Sequence, residues 1–235
     1  MDLDMTDYSG RASRREFVTD VVRIATAGAL SATVIPTPAQ ALVEPMKDAA
    51  DWDLSWVDLI AKASDRAVFD WPIPGDPGDP QILYFAERYL DNCATIYGSR
   101  RYDARVVLNI RTVAIGAALN DSAWERYSLG AEYNVRDPTT GKLAVRNPFW
   151  HRAPDPAPGV KLPTLEDLLQ RRAIVLVCDF ALGHLATRLA NKAGRNADEV
   201  HRDLKAAFVP SAYSVPSGIF GLARAQNAGC AYMRI

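Results

Sequence analysis

An open, mostly parallel α/β sheet with helices on both faces is the fold class this sequence predicts, and three observations carry the prediction. From about residue 66 to 235, short strand-like runs alternate with helical stretches. One run, AIVLVCD (173–179), is almost continuously apolar, the pattern of a strand buried on both faces of a parallel sheet. Helix punctuation falls between the runs: Asn196 stands as an N-cap with Glu199 three residues on, and Gly98 and Gly194 close two helical stretches. The class is a three-layer, flavodoxin-like domain with a long proline-rich insertion.

The elements follow in order. Residues 42–65 form a lead-in segment, where Trp52, Leu54, Trp56, Val57, Leu59 and Ile60 mix helical and alternating spacing and predict a short helix. RAVFDWPI (66–73) is a strand closed by the turn PGDPGDP (74–80). Residues 81–98 place Ile82, Phe85, Ala86, Tyr89, Leu90 and Cys93 on one helical face. ARVVLNI (104–110) is a strand, and 114–130 begins as an apolar run that turns helical. Residues 131–163 carry six prolines, two glycines and no sustained period, so this insertion is functional or irregular. Thr164 three residues before Asp167 predicts a capped short helix over 164–171. Helices are then expected over 180–194, 196–208 and 217–229, with strands at 212–216 and 230–235.

The first 41 residues have another character. Arg14 and Arg15 precede Phe17, a weakly apolar stretch spans 21–35, and Ala39-Gln40-Ala41 offers a small-x-small cleavage site. That layout is expected of a twin-arginine signal peptide cleaved after Ala41, which would place the mature protein in the periplasm and bring it to a membrane only in transit. Loss of the leader removes four arginines and five acidic residues and leaves a neutral protein.

Charge excludes some functions. The whole chain of 235 residues has 27 basic and 28 acidic side chains, so no nucleic-acid footprint is present. The three histidines, His151, His184 and His201, lack metal-ligand spacing, and no metal or cofactor is named by any motif. His184 and His201 are expected on helix surfaces.

Ligands of a parallel sheet bind beyond the carboxyl ends of its strands. Three such ends carry chemistry: Arg111 and Thr112; Cys178 and Asp179; and Pro216, Ser217 and Gly218, whose turn can offer backbone N–H groups to an anion. Cys178 stands at a helix N-terminus, where the partial positive charge favours a thiolate. Asp179 works against that if its carboxylate sits close by and favours it if it only caps the helix, and Arg111 can offset it. Burial is the other reading of Cys178, because free cysteine packs as a small apolar residue. Cys93 and Cys230 are expected to be core.

The motifs VCDFALGHL, SVPSGIFGLARAQNAG and CAYMRI resemble the DsrE/DsrF-like family of sulfur-relay proteins over about residues 66–235. The resemblance implies a flavodoxin-like domain, homo-oligomerisation and a sulfur-carrying cysteine, which falls on Cys178. Where the family commonly has His-Gly, this chain has Arg111-Thr112.

Two kinds of function follow. In one, Cys178 performs sulfur transfer or thiol redox chemistry with a small-molecule or sulfur-donor substrate. In the other, the 131–163 segment covers the strand ends, and Phe149, Trp150, His151 and Arg111 line a pocket of an enzyme acting on a small organic molecule, with Cys178 as wall or nucleophile. A non-catalytic binding or accessory protein on the same scaffold is the alternative to both.

Overall fold

Five apolar runs become five parallel strands: β1 (Asp65–Trp71), β2 (Ala104–Ile110), β3 (Ile174–Cys178), β4 (Ala212–Val215) and β5 (Ala231–Arg234). The computed structural model describes residues 52–98, 103–151 and 162–235. The leader (1–41), the start of the lead-in (42–51) and residues 152–161 of the insertion lie outside the described residues.

The sheet order is β4-β3-β2-β1-β5, so the chain steps outward from β1 to β4 and then crosses back to pair β5 with the other side of β1. Right-handed crossovers require the outward and returning connections to lie on opposite faces. They do. On one face, Phe69, Trp71, Leu108, Ile110, Val175 and Val177 pack against α2 (Gln81–Tyr97), α5 (Leu165–Gln170), α6 (Asp179–Ala193) and α7 (Ala197–Ala206). On the other, Val68, Val107, Leu176 and Val215 pack against α1 (Ser55–Ala61) and α8 (Gly218–Asn227). The α/β three-layer class predicted from the alternating runs is the observed one.

Helix ends follow the side chains that can close them. Asn196 accepts from the N–H groups of Asp198 and Glu199, and Thr164 and Asp167 form a reciprocal capping box. Each such cap is worth about 1 kcal/mol. Gly194 ends α6 in the left-handed region, which glycine enters without the Cβ penalty. Along α2 the buried positions are Ile82, Leu83, Ala86, Leu90 and Cys93; Phe85, expected on that face, is exposed and meets the Tyr84 ring edge-on at 5.4 Å. Leu83 takes the central place because it lies on the same stripe as Ala86 and Leu90.

The run after β2 forms a 3₁₀ helix (Thr112–Ala118), then α3 (Asp121–Tyr127) and α4 (Leu129–Glu132). Small side chains allow the tighter winding, with Ala114 to Ala118 all buried. At Gly116 a Cβ would stand 2.9 Å from the Tyr133 ring. No helix of the described residues is long and apolar enough to cross a membrane.

Candidate functional site

The parallel register sets the site. Asp70 of β1 pairs with Asn109 of β2 on one side and with Arg234 of β5 on the other. Ile110 pairs with Val177, so the next step brings Arg111 alongside Cys178, which itself pairs with Val215. The turn after β4 closes the group: the Phe180 N–H donates to the Pro216 carbonyl at 3.2 Å, joining the start of α6 to the start of α8. Arg111, Cys178, Asp179 and the Pro216-Ser217-Gly218 turn are therefore neighbours at one end of the sheet.

Asp70 is the centre of this end, and it is 3% exposed. It accepts from Arg111 Nε and Nη2, both at 2.7 Å, from the Tyr232 hydroxyl at 3.1 Å and from Asn109 Nδ2 at 3.3 Å. Burial alone would raise its pKa, but the paired donors and positive charge of Arg111, helped by Tyr232 and Asn109, outweigh burial and hold the carboxyl below its ordinary value. The same bonds raise the pKa of Arg111, and burial with the Asp70 bond raises that of Tyr232. The Arg111 stem lies against the backbone of α8: a Cβ on Gly218 would meet Arg111 Cβ and Cδ at 2.7 Å. Only glycine fits there. Asn109 gives its amide to Asp70 and leaves Oδ1 without a hydrogen-bond partner among the described residues.

Cys178 caps α6 with its own sulfur, which accepts the Ala181 N–H at 3.4 Å. The residue is 5% exposed. Ser217 caps α8, its Oγ accepting from the Phe220 N–H at 3.2 Å. Two helix N-termini thus open on the same end of the sheet. Thr112 turns the chain out of β2 with φ 49°, a left-handed conformation that is costly for a β-branched residue. Its hydroxyl donates to the Pro72 carbonyl and ties the loops after β1 and β2 together.

Asp179 looks away from Arg111. Its Oδ1 lies 3.1 Å from His201 Nε2, 3.1 Å from Lys205 Nζ and 3.5 Å from Ser214 Oγ. Its charge is met from α7, while Arg111 is held by Asp70, so the offset of Asp179 by Arg111 is replaced by two separate pairings. His201, expected as a surface residue, is half-buried in this cluster; His184 is exposed, edge-on to the Phe180 ring at 4.6 Å. Asp179, Phe180, His184 and His201 border an open cleft of about 370 Å³.

Trp150 and His151 make their contacts elsewhere. Phe149 and Trp150 are buried in the larger core, with the Phe149 ring edge-on to Trp71 at 5.6 Å. His151 Nδ1 lies 3.0 Å from Glu166 Oε2 on α5, at the mouth of a small proline-walled cavity of about 40 Å³ that includes Pro77, Pro80 and Phe149. The described part of the insertion is pinned by Asn147, which donates to the carbonyls of Ala117 and Leu119 and accepts the Phe149 N–H. Cys93 and Cys230 are core residues, and burial raises both thiols, Cys230 to about 11. Among the described residues no cluster of His, Cys, Asp and Glu has metal-binding geometry.

Asp70, Asn109 and Tyr232 are absent from the candidates read off the sequence. A signal existed for two of them. A carboxylate in VFDW and an amide in VLNI interrupt apolar strands near their carboxyl ends, and a buried charge needs a partner. Tyr232 had none, because its place beside β1 depends on the return crossover.

No protein-family model matches this chain, and no curated protein matches its sequence.

Proposed function

We propose that Cys178 carries a sulfane sulfur at the carboxyl end of the sheet, in the manner of the DsrE/DsrF-like proteins that the motifs resemble. The observation that supports this reading is the placement of its sulfur, capping α6 through the Ala181 N–H and standing next in register to Arg111. The sulfur stands at the N-terminus of α6, where an incoming sulfur atom would meet oriented backbone N–H groups. Low exposure restricts the donor to a small molecule, such as a low-molecular-weight persulfide.

The step balances without an outside oxidant. The Cys178 thiolate attacks the outer sulfur of the donor persulfide, the donor S–S bond breaks, and the donor leaves as a thiolate. Cys178 then holds the persulfide, its inner sulfur still accepting the Ala181 N–H. Arg111 stabilises the persulfide anion, and Asp70 positions Arg111.

The test is incubation of the folded protein with glutathione persulfide, followed by peptide mapping for the mass of one added sulfur atom. Label on Cys178, and its absence from Cys178→Ser, is the expected result. Label confined to Cys93 or Cys230, or transfer undiminished in Cys178→Ser, refutes the assignment.

A further inference from the structure

The solvent sides of α6 and α7 enclose a cleft that sulfur transfer does not use. The two helices pack against each other. The cleft between them, of about 370 Å³, is bordered by Phe180, Gly183 and His184 from α6 and by Asp198 and His201 from α7. Its volume is at the small end of the range for small-ligand sites, about 300–1,000 Å³. The Cys178 sulfur does not line it.

Gly183 is the residue that points to a ligand. It sits inside α6, where almost any other side chain would stabilise the helix, and a Cβ built on it would meet no atom within 4 Å. Packing therefore gives no reason for the missing side chain, unlike at Gly218, where the Arg111 stem fills the space. What the glycine does is leave bare backbone as the floor of the cleft. Phe180 and His184, on the same helix, meet edge-on at 4.6 Å and form an aromatic wall, with Phe180 67% exposed. The opposite wall is polar. His201 is held by Asp179 through Nε2 at 3.1 Å, and Lys205 meets the same carboxylate oxygen at 3.1 Å, so the charge of Asp179 is answered within the protein. That of Asp198 is not: only its backbone N–H is engaged, and its carboxylate has no partner among the described residues.

We propose that this cleft binds a small planar heteroaromatic ring carrying an amino group, laid over Gly183 against the Phe180–His184 wall, with its amino group donating to Asp198. Shape and charge select this occupant. A floor without a side chain lets a flat ring approach the helix backbone to van der Waals distance, and the ring meets Phe180 and His184 in the edge-on or offset arrangements that aromatic groups prefer. An unpaired carboxylate accepts N–H groups and repels anions. An aliphatic ammonium would satisfy Asp198 equally, but it would have no need of the glycine floor.

The experiment titrates the full chain calorimetrically with 2-aminopyrimidine, 2-methylpyrimidine and cyclohexylamine. The first should bind most tightly, about tenfold better than 2-methylpyrimidine, which has the same shape and no N–H donor. Asp198→Asn should erase most of that preference. Gly183→Leu should abolish binding of 2-aminopyrimidine while raising Tm by about 1–4 °C, because a helix interior favours leucine over glycine. A variant that is more stable and no longer binds identifies a glycine kept for its ligand. Undiminished binding in Gly183→Leu overturns the proposal, as does cyclohexylamine binding as tightly as 2-aminopyrimidine, or no binding of 2-aminopyrimidine at all. So does a lowered Tm in Gly183→Leu, because the glycine would then serve the packing of α6.

Discussion

Replacing Asp70 with asparagine keeps the volume of the side chain and reverses its hydrogen-bonding sense. The native carboxylate accepts from four N–H or O–H groups, two of them on Arg111 at 2.7 Å. An asparagine offers one oxygen and turns an NH₂ group toward the remaining donors. Breaking one side of a fully buried ion pair costs about 3–5 kcal/mol. Here the Asp70 side chain is 2% exposed but that of Arg111 is 24% exposed, so water recovers part of the guanidinium's solvation. The expected loss is about 3 kcal/mol, at the lower edge of that range, which for a chain of this size lowers Tm by roughly 6–12 °C. Urea unfolding followed by tryptophan fluorescence measures it, with an unchanged slope showing that the surface exposed on unfolding is the same. The Arg111→Gln variant and the double variant complete a cycle whose coupling should exceed about 1.5 kcal/mol. The effect also has a pH signature. Because the folded Asp70 carboxyl is held below the ordinary value of about 3.9, its contribution is whole above that pH and disappears as pH falls through the lowered folded value. Parent and variant should therefore converge in stability below about pH 4. A loss under about 1 kcal/mol, or a coupling near zero, refutes the claim that this pair organises the sheet end.

Gly218→Ala should cost about 1–3 kcal/mol by overpacking against the Arg111 stem and change the alkylation rate of Cys178; an unchanged Tm and rate would show that Arg111 moves aside freely. Asn147→Ala removes two donated bonds and orphans the Phe149 N–H, so a loss of about 2–4 kcal/mol in urea is expected, and a neutral effect would free the insertion from the core. Replacing Arg14 and Arg15 with lysine should leave the precursor in the cytoplasm, and a normal yield of exported mature protein refutes twin-arginine routing.

β3 was legible because a strand buried on both faces must be apolar along its whole length, as IVLVC is; the half-exposed edge strands β4 and β5 were read from their place between helical stretches. Caps were legible where one short side chain decides an end, at Thr164, Asn196 and Gly194. The site was read only in part. Arg111, Cys178 and Gly218 followed from the rule about strand ends, but their partners did not. Whether Arg111 turns toward Asp179 or Asp70 depends on which sheet face each side chain occupies, and only the register settles that. Phe149 and Trp150 showed that the insertion must bury something, and sequence spacing could not say that Trp71 receives it.

The order of the strands has a consequence for how the protein is made. As the chain emerges, β1 to β4 can pair in sequence, each beside the strand before it, while the outer edge of β1 stays open until Ala231–Arg234 arrives. The bond from Tyr232 to Asp70 spans 162 residues, so the carboxylate at the centre of the site is without one of its donors until β5 has been synthesised. Contacts so distant in sequence slow folding and leave an open strand edge exposed to wrong pairings in the meantime. The four-residue β5 thus covers the open edge of β1 and supplies the Tyr232 donor to Asp70 in one event.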